Sequence, residues 1–226
     1  MATKVAVIQF PGTNCEFDVA EVVSSLGGEP QIVFHDDSSL HGADAVIIAG
    51  GFAHGDYLRP GAIARFSPVM EPIRSFANDG GPVVGICNGF QVLTEARLLP
   101  GALQKNAHLK FKCQMVDLRV DSTNSVLTSE AELGQVVRMP INHFEGNYTC
   151  SSETLAELQS EDRVVLRYVD NPNGSIDDIA GICNEGRNVV GLMPHPERAS
   201  HELLGSNDGL VLMQSVLAAA GLAVPV

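Results

Sequence analysis

Residues 82–96 constrain this chain more than any other stretch. Pro82-Val83-Val84 opens an apolar run, Gly85-Ile86-Cys87-Asn88-Gly89 interrupts it, and Phe90-Gln91-Val92-Leu93-Thr94-Glu95-Ala96 has the composition of a helix. A buried strand, then G-x-C-x-G, then a helix is the arrangement of a nucleophile elbow, with Cys in place of the usual Ser. The tight turn forces one side chain into an unfavourable backbone conformation, and the small residues two before and two after it let neighbouring backbone approach. The helix N-terminus behind Cys87 favours a thiolate. One cysteine of five is thereby singled out, with a reaction class: acyl transfer through a thioester.

An elbow needs a sheet to carry it. Residues 4–10 read as a buried strand, followed by the loop Pro11-Gly12-Thr13-Asn14 and a helix over about 16–26. Further strands are expected over 31–34, 43–49 and 82–86. The segment 61–78 is helical in character, interrupted by Pro68 and Pro72. Apolar runs alternating with helices across short turns predict a mostly parallel, twisted α/β sheet with helices on both faces. The second half differs. Residues 113–120 and 163–169 alternate in strand fashion, and 179–183 and 188–193 flank the turn Asn184-Glu185-Gly186-Arg187 as a hairpin. A closing helix is expected over 207–220, with Ser206 as N-cap. No linker rich in Pro, Ser or charge divides the 226 residues, so one domain over 1–226 with a small antiparallel extension is the economical reading.

Composition narrows the function. A net charge of −13 argues against nucleic acid and anionic membrane surfaces as partners. No apolar run approaches the ~20 residues that span a bilayer. The N-terminus leads straight into a strand-like run, so no signal peptide is expected. Five cysteines, an odd number without a C-x-x-C pair, fit reduced thiols in a cytoplasmic protein, with no metal site expected.

A catalytic thiol calls for a base, and the base for an orienting group. Met193-Pro194-His195-Pro196-Glu197 offers both at a strand end, where prolines stiffen the backbone and Glu197 can reach the imidazole. Cys87, His195 and Glu197 form a triad by role. Asn88 follows the nucleophile, so its backbone N–H is one candidate oxyanion donor; Gly51 and Phe52, after the strand over 43–49, offer a second. Gln91, one helical turn past Cys87, could meet a polar substrate. Gly181-Ile182-Cys183-Asn184 repeats four letters of the elbow, but a charged turn and another strand follow it, so Cys183 reads as buried in a hairpin. Cys15 also lies between strand and helix, but the adjacent Glu16 opposes a thiolate. Gly50 to Gly55 has phosphate-loop spacing, yet Asp56 stands where Lys would be needed.

These residues together resemble the class I (triad) glutamine amidotransferases. Pro11-Gly12-Thr13-Asn14-Cys15-Glu16, Gly50-Gly51-Phe52, Gly55-Asp56-Tyr57-Leu58-Arg59-Pro60-Gly61-Ala62-Ile63-Ala64, the elbow with Gln91, and the His195-Pro196-Glu197 motif span nearly the whole chain. Within that family they are most similar to the glutaminase subunits of phosphoribosylformylglycinamidine synthase. The resemblance implies a flavodoxin-like fold with Cys87, His195 and Glu197 hydrolysing glutamine. It implies ammonia delivered to an ATP-dependent synthetase subunit (PurL), with a small bridging subunit (PurS). No cofactor is expected in this chain; ATP and Mg are expected on the synthetase. Phe144, in Asn142-His143-Phe144-Glu145-Gly146, stands where the family usually has glycine, and none of these five is carried as catalytic. Two other readings remain: a stand-alone cysteine hydrolase of the same shape, and a regulatory subunit that has kept the fold.

Overall fold

The structure, a computed structural model, describes residues 3–223. In the first half lie β1 (Lys4–Gln9), α1 (Glu16–Ser25), β2 (Glu29–Phe34), β3 (Ala45–Ile48), α2 (Met70–Asn78), β4 (Val83–Ile86) and α3 (Asn88–Glu95). The second half adds β5 (Ala102–Lys105), β6 (Lys112–Val120), β7 (Val136–His143), β8 (Glu145–Thr149), α4 (Ser152–Ser160), β9 (Val164–Tyr168), β10 (Ile179–Cys183), β11 (Val189–Leu192) and α5 (Leu210–Ala219).

Nine strands form one sheet, in the order β2-β1-β3-β4-β11-β10-β9-β6-β7. The first five are parallel. From β11 outward the pairing becomes antiparallel, so the expected extension is a four-strand arm continuous with the main sheet. A separate ribbon pairs β5 with β8. The Val- and Ile-rich strands β3, β4 and β11 are buried along their whole length, as a strand covered on both faces requires. From β1 the chain steps out to β2 and then back across to β3, which makes a topological switch point. Ligands bind such sheets in the crevice beyond the carboxyl ends of the strands there. The loops at 10–15 and 50–56 and the elbow at Cys87 all leave from those ends.

Several local expectations shift for identifiable reasons. The 61–78 segment is a short 3-10 turn, Ala64–Phe66, followed by α2. The break falls at Ser67, held extended (ψ 143°) before Pro68, because a residue preceding proline is steered away from helix. Pro72 is tolerated inside the first turn of α2. The last helix begins at Leu210, and Ser206 does not cap it. Its Oγ accepts from the Asp208 N–H and donates to the Arg138 carbonyl, stitching the loop to β7. β7 itself contains Pro140, which argues against a strand. The strand survives because β7 is the sheet edge, where a missing N–H breaks no ladder. α4 starts at an N-cap, Ser151, whose side chain accepts from the Thr154 N–H. Among the described residues, no helix is long and apolar enough to cross a membrane.

Candidate active site

The elbow is present as the sequence pattern requires. β4 ends at Ile86, α3 begins at Asn88, and Cys87 between them has φ 51° and ψ −105°. That region is closed to L-residues by sterics and costs on the order of 1–3 kcal/mol. The turn persists because it is held from outside. The Cys87 N–H donates to the Leu192 carbonyl, and its own carbonyl accepts from Phe90 and Gln91. Gly89 is required for the same reason, since a Cβ there would lie 2.1 Å from the Ile48 carbonyl oxygen of β3. α3 can sit this close to the sheet only without that atom.

His195 enters from the end of β11, and its N–H donates to the Pro140 carbonyl on edge strand β7. Its side chain is 2% exposed. Nδ1 lies 2.6 Å from Glu197 Oε1, and Glu197 is also buried. Nε2 has no hydrogen-bond partner. Burial works against the charged imidazole, but the Glu197 carboxylate, then Cys87, with the Cys15 and Cys87 sulfurs close by, outweigh it and hold His195 well above its ordinary value. The resting site therefore favours an imidazolium beside the two cysteine sulfurs.

Two cysteines converge on this ring. A Cβ on Gly50 would lie 2.9 Å from His195 Cε1, 3.3 Å from Cys15 Sγ and 3.5 Å from Cys87 Cβ, so only glycine lets the three meet. Sequence spacing gives no sign of Cys15 here; the fold of the 10–15 loop brings it in, with the Cys15 N–H bonded to the Gly50 carbonyl. Cys15 Sγ, a ring nitrogen of His195 and a carboxylate oxygen of Glu197 lie within 4.8 Å of one another, the one such group among the described residues that could hold a metal ion. Glu197 is already engaged with Nδ1 in that group. Access separates the thiols. Cys87 lines a small cleft of about 40 Å³ with Gly51, Phe52, Asp56, Gln91, Asn142, His143 and Glu145, whereas Cys15 is outside the lining. Cys183 is fully buried in β10, and burial pushes its thiol up to about 11.

The expected donors sort unequally. Among the described residues, the Asn88 and Gly51 N–H groups make no backbone hydrogen bond. The Phe52 N–H is committed to the Gly12 carbonyl at 2.9 Å, so it cannot serve as an oxyanion donor; its side chain stands at the cleft, 48% exposed. Gln91 also differs from expectation. It is buried, its Nε2 donates to the Glu145 carbonyl at 2.5 Å, and its Oε1 accepts from Asn88 Nδ2 at 2.8 Å. The amide is spent on joining the elbow helix to the 142–146 segment. Asn88 extends the join, accepting the Ala53 N–H at Oδ1 and donating to Asp56. Phe144 keeps a negative φ, so this backbone does not need the glycine usual there.

Known proteins share this sequence and fold. Residues 2–208 match the CobB/CobQ-like glutamine amidotransferase domain. Phosphoribosylformylglycinamidine synthase subunit PurQ of Rubrobacter xylanophilus is 57% identical, across 96% of this chain and 99% of the relative. The subunit of the same name from Koribacter versatilis is 51% identical, across 96% and 98%. A chain in the structure of PurLQS from Thermotoga maritima superposes with a TM-score of 0.90 at 42% identity, covering 96% of this chain and 99% of that one. A putative GMP synthase subunit from Thermoplasma acidophilum shares the fold, with a TM-score of 0.68 at 17% identity, 98% of this chain and 95% of that one. An elbow cysteine beside a buried His–Glu pair, on a sheet that matches along nearly its whole length, places the chain in the class I glutamine amidotransferase family, among the PurQ subunits of phosphoribosylformylglycinamidine synthase.

Proposed function

We propose that this chain is the glutaminase subunit of phosphoribosylformylglycinamidine synthase, with Cys87 as nucleophile. The observation that carries the mechanism is the His195–Glu197 pair, buried at 2.6 Å beside the strained elbow. Cys87 Sγ, whose proton has passed to His195, attacks the glutamine carboxamide carbon as the thiolate, and the Asn88 and Gly51 N–H groups receive the developing oxyanion. His195, held protonated by Glu197, gives its proton to the departing amine, releasing ammonia and leaving a γ-glutamyl thioester. It then takes a proton from water, which attacks the thioester and frees glutamate and the thiolate. Glu197 keeps the imidazole in one tautomer and orientation.

The ammonia passes to a PurL synthetase subunit, assembled through a PurS subunit, where ATP and Mg drive the amidation. The assembly reported for the Thermotoga maritima relative supports this partner set. So does the surface. Phe52 lines the cleft and is exposed, as are Tyr57 and Leu58 further along the same loop, and Leu58 is 90% exposed. Clustered exposed apolar side chains mark interaction sites.

The test is labelling with a diazo-ketone analogue of glutamine, followed by peptide mass mapping, with and without the synthetase subunits. Label on Cys87, blocked by glutamine and accelerated by the partners, is expected. Label on Cys15 would overturn the assignment. A rate indifferent to partners would favour a stand-alone hydrolase.

A further inference from the structure

Three side chains able to hold a thiophilic metal ion meet at the elbow. Cys15 comes from the loop after β1, Cys87 from the turn after β4 and His195 from the end of β11. All three follow strands of the parallel part of the sheet, so the fold delivers them together although no ligand spacing announces them in the sequence. They close on the space beside Gly50, where one point lies within 3.5 Å of His195 Cε1, Cys15 Sγ and Cys87 Cβ.

Acyl transfer employs Cys87 and His195 and leaves Cys15 without a task. Cys15 is nonetheless buried against them, where a structural cysteine needs no such neighbours. Glu197 holds His195 Nδ1 at 2.6 Å, so Nε2, buried and without a hydrogen-bond partner among the described residues, is the nitrogen left for the sulfurs. Cys87 Sγ is held only loosely, 3.9 Å from the Asn142 carbonyl oxygen. A histidine with one ring nitrogen on a carboxylate and the other open is the form in which proteins present imidazole to zinc.

We propose that Cys15 Sγ, Cys87 Sγ and His195 Nε2 form a binding site for Zn²⁺, with Glu197 as the outer carboxylate, and that zinc bound there switches the enzyme off. Two thiolates and one imidazole are a zinc ligand set that leaves the fourth position to water. Cys87 lines the cleft of about 40 Å³, which gives the ion a way in and room for that water, whose need is ~10–15 Å³. The ligands bind deprotonated and their protons leave to solvent; zinc exchanges no electrons. Sulfur and nitrogen donors select Zn²⁺ over Mg²⁺, which takes oxygen. Bound zinc occupies nucleophile and base at once, so glutamine hydrolysis stops until the ion is withdrawn.

The test titrates the full chain with Co²⁺ as a coloured stand-in, then displaces it with Zn²⁺. A sulfur-to-cobalt charge-transfer band that saturates at one equivalent, lost to Zn²⁺ and indifferent to Mg²⁺, is expected. Zn²⁺ should also block diazo-ketone labelling of Cys87, and a chelator should restore it. Cys15→Ala is expected to weaken Zn²⁺ binding by on the order of 100-fold or more, since even an outer partner of a metal histidine is worth about 10- to 100-fold. Cys15→Ser, which keeps the side-chain volume, repeats the measurement where alanine leaves the chain unfolded in thermal melts. Cys113→Ala, at an exposed cysteine, should change neither the band nor the affinity. Undiminished binding in both Cys15 variants, or a band that disappears with Cys113→Ala, would overturn the site. Saturable cobalt binding in a chain whose Cys87 resists the glutamine analogue would support the metal site and sink the glutaminase reading; labelling of Cys87 without cobalt binding would do the reverse.

Discussion

Replacing Cys87 by glycine is expected to leave the protein at least as stable as replacing it by alanine, the reverse of the ordinary order. Both variants remove the thiol and both are inactive, so stability alone is compared. Alanine retains a Cβ at φ 51° and ψ −105°, a conformation glycine adopts freely. Relief of that strain is worth about 1–3 kcal/mol. Glycine gives back about 0.5–1 kcal/mol in extra unfolded-state entropy. The difference leaves Cys87→Gly ahead by ~0–2.5 kcal/mol, or up to ~10 °C in Tm for a domain of this size. Urea titration and thermal melts of the two purified variants measure it. If Cys87→Gly is less stable than Cys87→Ala by about 1 kcal/mol, as at an unstrained buried site, the elbow stores no strain and the nucleophile is not pre-tensioned.

Two further outcomes follow from the same geometry. Gly89→Ala places a Cβ 2.1 Å from the Ile48 carbonyl oxygen, so α3 must retreat from β3. A loss of about 1–3 kcal/mol or more, with activity falling even where folding is retained, is expected in denaturant melts and glutamine-hydrolysis assays, and near-native values in both would contradict the close packing of α3 on β3. His143 is lowered to about 4 by burial and by the neighbouring His195, against 6.5 when unfolded. Between those values the unfolded chain binds the proton and the folded chain does not, so stability rises with pH across that window. The contribution is fully present above 6.5 and is lost as pH falls toward 4, at most about 3 kcal/mol. His143→Gln should flatten the urea-midpoint slope from pH 4.5 to 6.5, and an unchanged slope would refute the assignment.

The elbow, the His195–Glu197 pair and the hairpin around Asn184–Arg187 are legible in sequence because each is made by residues close together in the chain. Strand, tight turn and helix at 82–96 are local choices, and Glu197 reaches His195 across two residues. The parallel half of the sheet follows from its apolar runs, which only a strand covered on both faces can bury. What sequence left unread or misjudged depends on pairing. Pro140 disguises β7 until its edge position is known, and Ser206 resembles a cap until Arg138 claims its hydroxyl. Gly51 and Phe52 are equivalent candidates in the sequence. Only the loop at Gly12, folding back onto the Phe52 N–H, separates them.

By itself, then, the sequence determined which cysteine sits on an elbow, which histidine has a carboxylate beside it, and the family whose blocks it carries. Tertiary structure alone decided that Cys15 reaches the same imidazole, that the Gln91 amide holds the 142–146 segment, and that Asp56 and Glu145 share a cleft 89 positions apart in the chain. The reason is physical. Backbone strain, helix starts and neighbouring hydrogen bonds are set over a few residues. The charge of a cleft is set by which loops the crossing strands deliver to the same end of the sheet.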